Sequence, residues 1–154
     1  MLVSMNIIAF VGTFFFMEFV AWFAHKYIMH GLFWNLHEDH HTRENEAHIF
    51  ERNDSFFLIF ATPSMLCIVL GSHFSIFYLI AIGFGIAAYG LCYFLVHDIF
   101  IHQRIKVFTR SNNAYLRAIR KAHKIHHKNQ TKEEGECFGM LLVPLKYFKS
   151  EWSR

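Results

Sequence analysis

Two long stretches of this chain carry almost no charge. From Leu2 to Ala24 the only Asp, Glu, Lys or Arg is Glu18, and from Ser55 to Val96 there is none. A helix needs about 20 apolar residues to cross a bilayer core, so the second stretch has room for two crossings and a tight turn. The pattern predicts spans at about 2–24, 56–70 and 76–96, with Gly71-Ser72-His73-Phe74-Ser75 as the turn. Pro63 is expected to kink span two. Gly83, Gly85 and Gly90, with Ala81, Ala87 and Ala88, are expected to give span three one small side where a neighbouring helix can come close. The first stretch has no Lys or Arg before Lys26 and is long for a signal peptide, so it reads as a retained helix.

The polar remainder falls into two segments, 25–54 and 97–154. Three crossings put both on one side of the membrane. All 15 Lys and Arg lie in them, which marks that side as cytoplasmic and leaves the amino terminus outside. The expected fold is all-α: one integral membrane domain over 1–154, with three long spans and cytoplasmic amphipathic helices. Residues 112–128 read as one such helix, with Tyr115, Leu116, Ile119, Ala122 and His123 on or near one face. It sits in a run from Arg104 to Lys132 that has nine basic residues and no acid, suited to anionic headgroups or to an acidic electron carrier. Nucleic acid is the weaker partner for a membrane-anchored chain. Phe138 to Phe148 is apolar but too short to span, and is expected at the interface, re-entrant, or packed on the cytoplasmic segments. Cys67, Cys92 and Cys137 have no metal-ligand or disulfide spacing and read as buried small residues.

The candidate chemistry lies in the histidines, ten of whose twelve form a doubled pattern. His25 and His30 make H-x4-H, and His37, His40 and His41 make H-x2-H-H. His97 and His102 then repeat the first motif, and His123, His126 and His127 the second. On a helix, H-x2-H-H projects its rings from one face. Residues five apart diverge by about 140° on a straight α-helix. Each H-x4-H pair can therefore reach one centre only if the helix ends or bulges between its members; otherwise each member serves a different metal. Ten imidazoles are too many for one ion, and five for each of two ions is a natural division. His25 and His97 directly follow spans one and three, so span parity brings all four motifs to one membrane face. His73 falls at the other face, and His48 lies outside the motifs. Imidazole suits zinc, copper, nickel and iron alike. The outer ring nitrogens need acceptors, for which Asp39, Asp98 and Asn53 are candidates, with Glu38 and Asp54 nearby. Glu18, an acid inside a span and seven residues before His25, is another.

These residues resemble the non-haem di-iron beta-carotene hydroxylases of bacteria, within the fatty acid hydroxylase superfamily. The segments that carry the resemblance are Glu18-Phe-Val-Ala-Trp-Phe-Ala-His25-Lys-Tyr-Ile-Met-His30-Gly and Leu36-His-Glu-Asp-His-His41. Tyr93-Phe-Leu-Val-His97-Asp-Ile-Phe-Ile-His102-Gln-Arg and Ala122-His-Lys-Ile-His-His127 complete the series. The resemblance implies hydroxylation at carbon 3 of beta-ionone rings, taking beta-carotene to zeaxanthin, with O2 and electrons from a reduced ferredoxin. It implies two irons held by the ten motif histidines, with zinc able to replace them in a purified sample. It implies a place in the bacterial inner membrane. A fatty acyl or sterol hydroxylase or desaturase is the alternative within the enzyme class, and a membrane haem or metal-binding protein the alternative outside it.

Overall fold

The computed structural model describes residues 2–42, 50–133 and 135–152. Among them all regular structure is helical. Helix α1 (Leu2–Phe23) continues into a π-helical stretch, Ala24–Leu32, and is followed by α2 (Trp34–Thr42). A 3₁₀ turn at Arg52–Asp54 leads into α3 (Ser55–His73). Helix α4 (Phe77–Phe94) also continues as a π-helix, Leu95–Ile101, and α5 (Ala114–His126) and α6 (Leu145–Trp152) complete the chain.

Three of the helical runs are long and apolar enough to cross a membrane: Val3–Leu32, Arg52–His73 and Phe77–Ile101. They overlap the expected spans but run further at the histidine end, where the π-helices extend two of them. Only 17% of each apolar window is buried inside the protein, so most of this surface is outward-facing and suited to lipid. Helix α3 runs unbroken through Pro63.

Helix α4 packs against both α1 and α3, and its glycines explain how. A Cβ on Gly83 would lie 2.8 Å from the Ser64 carbonyl oxygen and 2.6 Å from Ile68 on α3. A Cβ on Gly85 would lie 2.8 Å from the Phe10 carbonyl oxygen on α1. Residues two apart on a helix point about 200° away from each other. The expected single small side is therefore two contact points on opposed faces, one for each neighbour, and Gly90 has nothing within 4 Å. Ser64 Oγ donates to the Gly83 carbonyl at 2.7 Å, across the same close approach.

The carboxy-terminal part closes over the histidine end of the bundle. The apolar face of α5 is covered by protein, not by headgroups. Ile119 joins Phe100, Ile101 and Met140 in one buried cluster, and Ala118 and Ala122 join Tyr147 of α6 in another. Several basic residues are also engaged internally. Arg117 and Lys121 pair with the buried Glu151 carboxylate at 3.2 and 3.1 Å, and Arg120 stacks over the Phe100 ring and donates to its carbonyl. Lys124, Lys128 and Lys132 remain exposed.

Glu18 fixes the segment between α5 and α6. Its carboxylate, buried within span one, accepts the backbone N–H groups of Met140, Leu141 and Leu142 at 2.9–3.0 Å. It also accepts the Tyr89 hydroxyl at 2.7 Å. A buried anion among so many donors is satisfied, and it anchors a loop more than a hundred residues away in sequence.

Two outcomes are expected. Gly83→Leu should force α3 and α4 apart and cost about 1–3 kcal/mol, whereas Gly90→Ala should be neutral or stabilising; detergent thermal melts compare them. Glu18→Ala removes the acceptor of three backbone N–H groups, the Met140 one buried, and of the buried Tyr89 hydroxyl, and should cost on the order of 3 kcal/mol, read in the same melts.

Candidate metal centre

The two π-helices solve the spacing problem of H-x4-H. A π-helix bonds residue i to i+5, and the His102 N–H donates to the His97 carbonyl at 2.9 Å in this register. The Phe33 N–H donates to the Ile28 carbonyl in the same way at 2.8 Å. Residues five apart then lie on one face. The rings of His25 and His30 stand 5.2 Å apart, and those of His97 and His102 4.5 Å. Of the two open routes, a bulge or separate centres, the chain uses the bulge, and both members of each pair join one cluster.

The H-x2-H-H triplets do the opposite. His37 and His41 of the first join His25, His30 and His126, whose ring nitrogens lie within 4.8 Å of one another. His40 crosses over to a second such group with His97, His102 and His123. His127 stands beside this second group, its Nε2 2.8 Å from His123 Nε2. Each triplet thus gives its first and last rings to one cluster and its middle ring to the other.

The hydrogen bonds of the first cluster settle its tautomers. His25 Nδ1 donates to the Phe138 carbonyl at 3.0 Å, His30 to Lys132 at 3.3 Å, His41 to Asn129 at 2.9 Å and His126 to Glu136 at 2.9 Å. A carbonyl only accepts, so each Nδ1 carries the proton and each Nε2 presents a lone pair. His37 Nδ1 likewise faces Asn53 Oδ1 at 2.7 Å. Yet His25 Nε2 lies 3.1 Å from His37 Nε2, His41 Nε2 3.2 Å from His37 Nε2, and His30 Nε2 3.2 Å from His126 Nε2. Lone pairs facing one another at these distances repel, and a cation between them turns the repulsion into coordination. The donor set therefore fits a metal ion with no change of tautomer.

In the second cluster two of the outer acceptors are acids. His40 Nδ1 donates to Glu51 Oε2 at 2.8 Å and His97 Nδ1 to Asp98 Oδ2 at 3.1 Å. The inner nitrogens again face one another: His40 and His97 Nε2 at 3.1 Å, and His102 and His123 Nε2 at 2.9 Å. Arg104 pairs with Glu51, Asp54 and Asp98 at 2.8, 2.8 and 3.2 Å. Asp54 Oδ2 in turn accepts the Glu51 N–H at 3.0 Å.

The candidate acceptors read from sequence divide accordingly. Asn53 and Asp98 stand on His37 and His97. Asp39 does not stand on its neighbour His40; it accepts the Arg52 N–H at 2.7 Å and so fixes the turn that presents Asn53. Glu18 is committed to the Met140–Leu142 backbone and Tyr89 and reaches the site only through that loop. Glu38 lines an outer cleft with Gly31 and Trp34. Glu51 and the four backbone carbonyls have no mark in the sequence. Cys137, between two of them, adopts φ 64°, and this left-handed residue sits where the loop offers both the Glu136 and Phe138 oxygens to histidines. His73 ends α3, about 30 Å of helix from Asn53, and His48 lies outside the described residues.

Burial favours the neutral form of several of these imidazoles outside the spans. It pushes His37, His40 and His123 well below the ordinary range, with neighbouring imidazoles acting in the same direction. His41 falls to about 4 and His126 to about 3, both mainly through burial. Neutral imidazole is the metal-binding form.

Three helices long and apolar enough to cross a membrane, joined to two histidine clusters that could hold metal, define the class: a membrane protein with a candidate metal centre. The fatty acid hydroxylase family model matches residues 10–147, and the chain belongs to this family of enzymes. The chain is 44% identical over 128 residues to a beta-carotene hydroxylase of Pantoea ananas, covering 83% of this chain and 71% of that protein. It is 33% identical over 136 residues to the beta-carotene hydroxylase of Paracoccus sp. (strain PC1), covering 87% and 82%. A chloroplastic beta-carotene 3-hydroxylase of Arabidopsis thaliana is 35% identical over 131 residues, 83% of this chain and 42% of the plant protein. No solved structure matches the chain significantly.

The depressed histidines make acid a specific stress. The unfolded chain takes up these protons near 6.5, whereas the folded chain resists to about 4 at His41 and about 3 at His126. Their stabilisation is complete above 6.5 and is lost as the pH falls through that window, at about 1.4 kcal/mol per unit for each group. The melting temperature in detergent should therefore drop steeply between about pH 6.5 and pH 4.

Proposed function

We propose that the chain is a carotenoid hydroxylase acting at carbon 3 of beta-ionone rings, converting beta-carotene to zeaxanthin, with one iron in each histidine cluster. The observation that carries this reading is the convergence of ten imidazoles at the lip of an apolar bundle, in a chain whose relatives are beta-carotene hydroxylases. His25, His30, His37, His41 and His126 would hold one ion, and His40, His97, His102, His123 and His127 the other. The bound irons would supply O2 activation, which zinc, having no redox chemistry, cannot. One oxygen atom enters a ring C–H bond and the other leaves as water, with two electrons from a ferredoxin-type carrier and two protons from solvent.

The chain's own part is to hold, orient and exclude. Carbonyl, amide and carboxylate acceptors keep the proton on Nδ1 of His25, His30, His37, His40, His41, His97 and His126, so that their inner nitrogens would face the metal. Phe138 stands 5.1–5.4 Å from the rings of His25, His30 and His126. It also lines a cleft of ≈ 300 Å³ with Trp22, Gly139, Leu142, Val143 and Pro144. This apolar wall would admit a hydrocarbon ring from the bilayer and keep water from the metals. Exposed Lys124, Lys128 and Lys132 suit an acidic electron carrier. The bacterial relatives support a place in a bacterial inner membrane, and the distribution of basic residues supports an amino terminus outside and a cytoplasmic site; the chain would act as one domain over 1–154.

Expression in a bacterium that accumulates beta-carotene tests the reading. Zeaxanthin and its mono-hydroxylated precursor should appear, and His126→Ala should abolish both. Iron-replete membranes given O2, ferredoxin and reductase that yield no hydroxylated carotenoid, but oxidise a fatty acyl or sterol substrate, would overturn the substrate. A haem absorption band in place of two non-haem metals would overturn the site.

A further inference from the structure

We propose that the two histidine clusters are electronically unequal, and that the His40–His97 cluster binds its metal more tightly because carboxylates receive the outer protons of His40 and His97, whereas carbonyls and an amide receive those of the first cluster. The proposal rests on the reading that each cluster holds one iron.

In the first cluster all five outer protons go to neutral oxygens: the carbonyls of Phe138, Lys132, Asn129 and Glu136, and the amide of Asn53. In the second, His40 donates to the Glu51 carboxylate and His97 to the Asp98 carboxylate. A carboxylate draws the Nδ1 proton more strongly than a carbonyl does and pushes electron density onto Nε2, which becomes the stronger donor to a dication. Its negative charge, held a ring-width from the metal position, acts in the same direction.

The fold keeps those two acids in place. The Arg104 guanidinium reaches both Glu51 and Asp98, at 2.8 and 3.2 Å. The Arg104 backbone N–H donates to the Asp98 carbonyl at 3.0 Å, across a turn in which Gln103 takes φ 55°. Glu51, Asp54 and Asp98 together outnumber this one cation, so the surroundings of the second cluster stay anionic. None of the first cluster's five acceptors is a carboxylate. Asn53 and Glu51, two residues apart in one short turn, serve different clusters, so one loop gives an amide to one metal and an acid to the other.

Purified full-length protein loaded with ⁵⁷Fe and challenged with bipyridine tests this. Two irons per chain should leave in two equal phases. Glu51→Gln, and independently Asp98→Asn, should speed the slow phase by about 10-fold or more and move only one of two Mössbauer doublets. Asn53→Asp should slow the fast phase and move only the other doublet. A single phase in the native protein, or equal effects of Glu51→Gln and Asn53→Asp on both irons, would overturn the inequality. Fewer than two irons per chain would instead overturn the metal reading beneath it.

Discussion

Facing lone pairs are the constraint on which this structure turns. Where an outer acceptor holds the proton on Nδ1 of both partners, inner ring nitrogens in both clusters are aimed at one another at 3.1–3.2 Å, an arrangement that repels unless a cation joins it. Holding it takes structure from every side: two π-helices, two α-helices, a 3₁₀ turn and the loop before α6. The bundle supplies a rigid platform at the membrane edge, and the carboxy-terminal segment supplies most of the acceptors that lock the rings. Hydrogen bonds therefore tie the apolar helices to the polar cap. Glu18 links them, because its carboxylate deep in span one holds the loop whose Phe138 carbonyl orients His25.

Much of this was legible in the residues. The absence of charge from Ser55 to Val96 fixes a hairpin of two crossings, and the histidine spacing with span parity collects ten rings on one face. The H-x4-H spacing pointed further than the reading took it, since five residues is the hydrogen-bond register of a π-helix. What sequence could not carry is whatever depends on the backbone. A carbonyl acceptor is present at every residue and so marks none. Nothing around Lys132, Asn129, Glu136 or Phe138 distinguishes their carbonyls from others.

Proximity in sequence also misled. Asp39 adjoins His40 and Glu18 lies two helical turns before His25, so each looked like a partner. On a helix, however, neighbours point about 100° apart, and Asp39 turns instead to the Arg52 backbone. The acid that does meet His40 is Glu51, eleven residues on and beyond a loop. The basic tail shows the same effect: its amphipathic face looked made for headgroups, but Phe100, Met140 and Tyr147 cover it.

The crossed triplets carry a consequence for the history of such a chain. Its motif order, H-x4-H then H-x2-H-H twice over, has the look of a duplicated half. Yet each half keeps four of its rings and lends one to the other: His40 passes one way and His126 the other. Neither half could complete a five-ring nest by itself. Each five-ring cluster is therefore a joint product of both halves of the chain. The same trade makes the halves inseparable now: a break between them would leave two four-ring nests, each missing the ring that ties it to its twin.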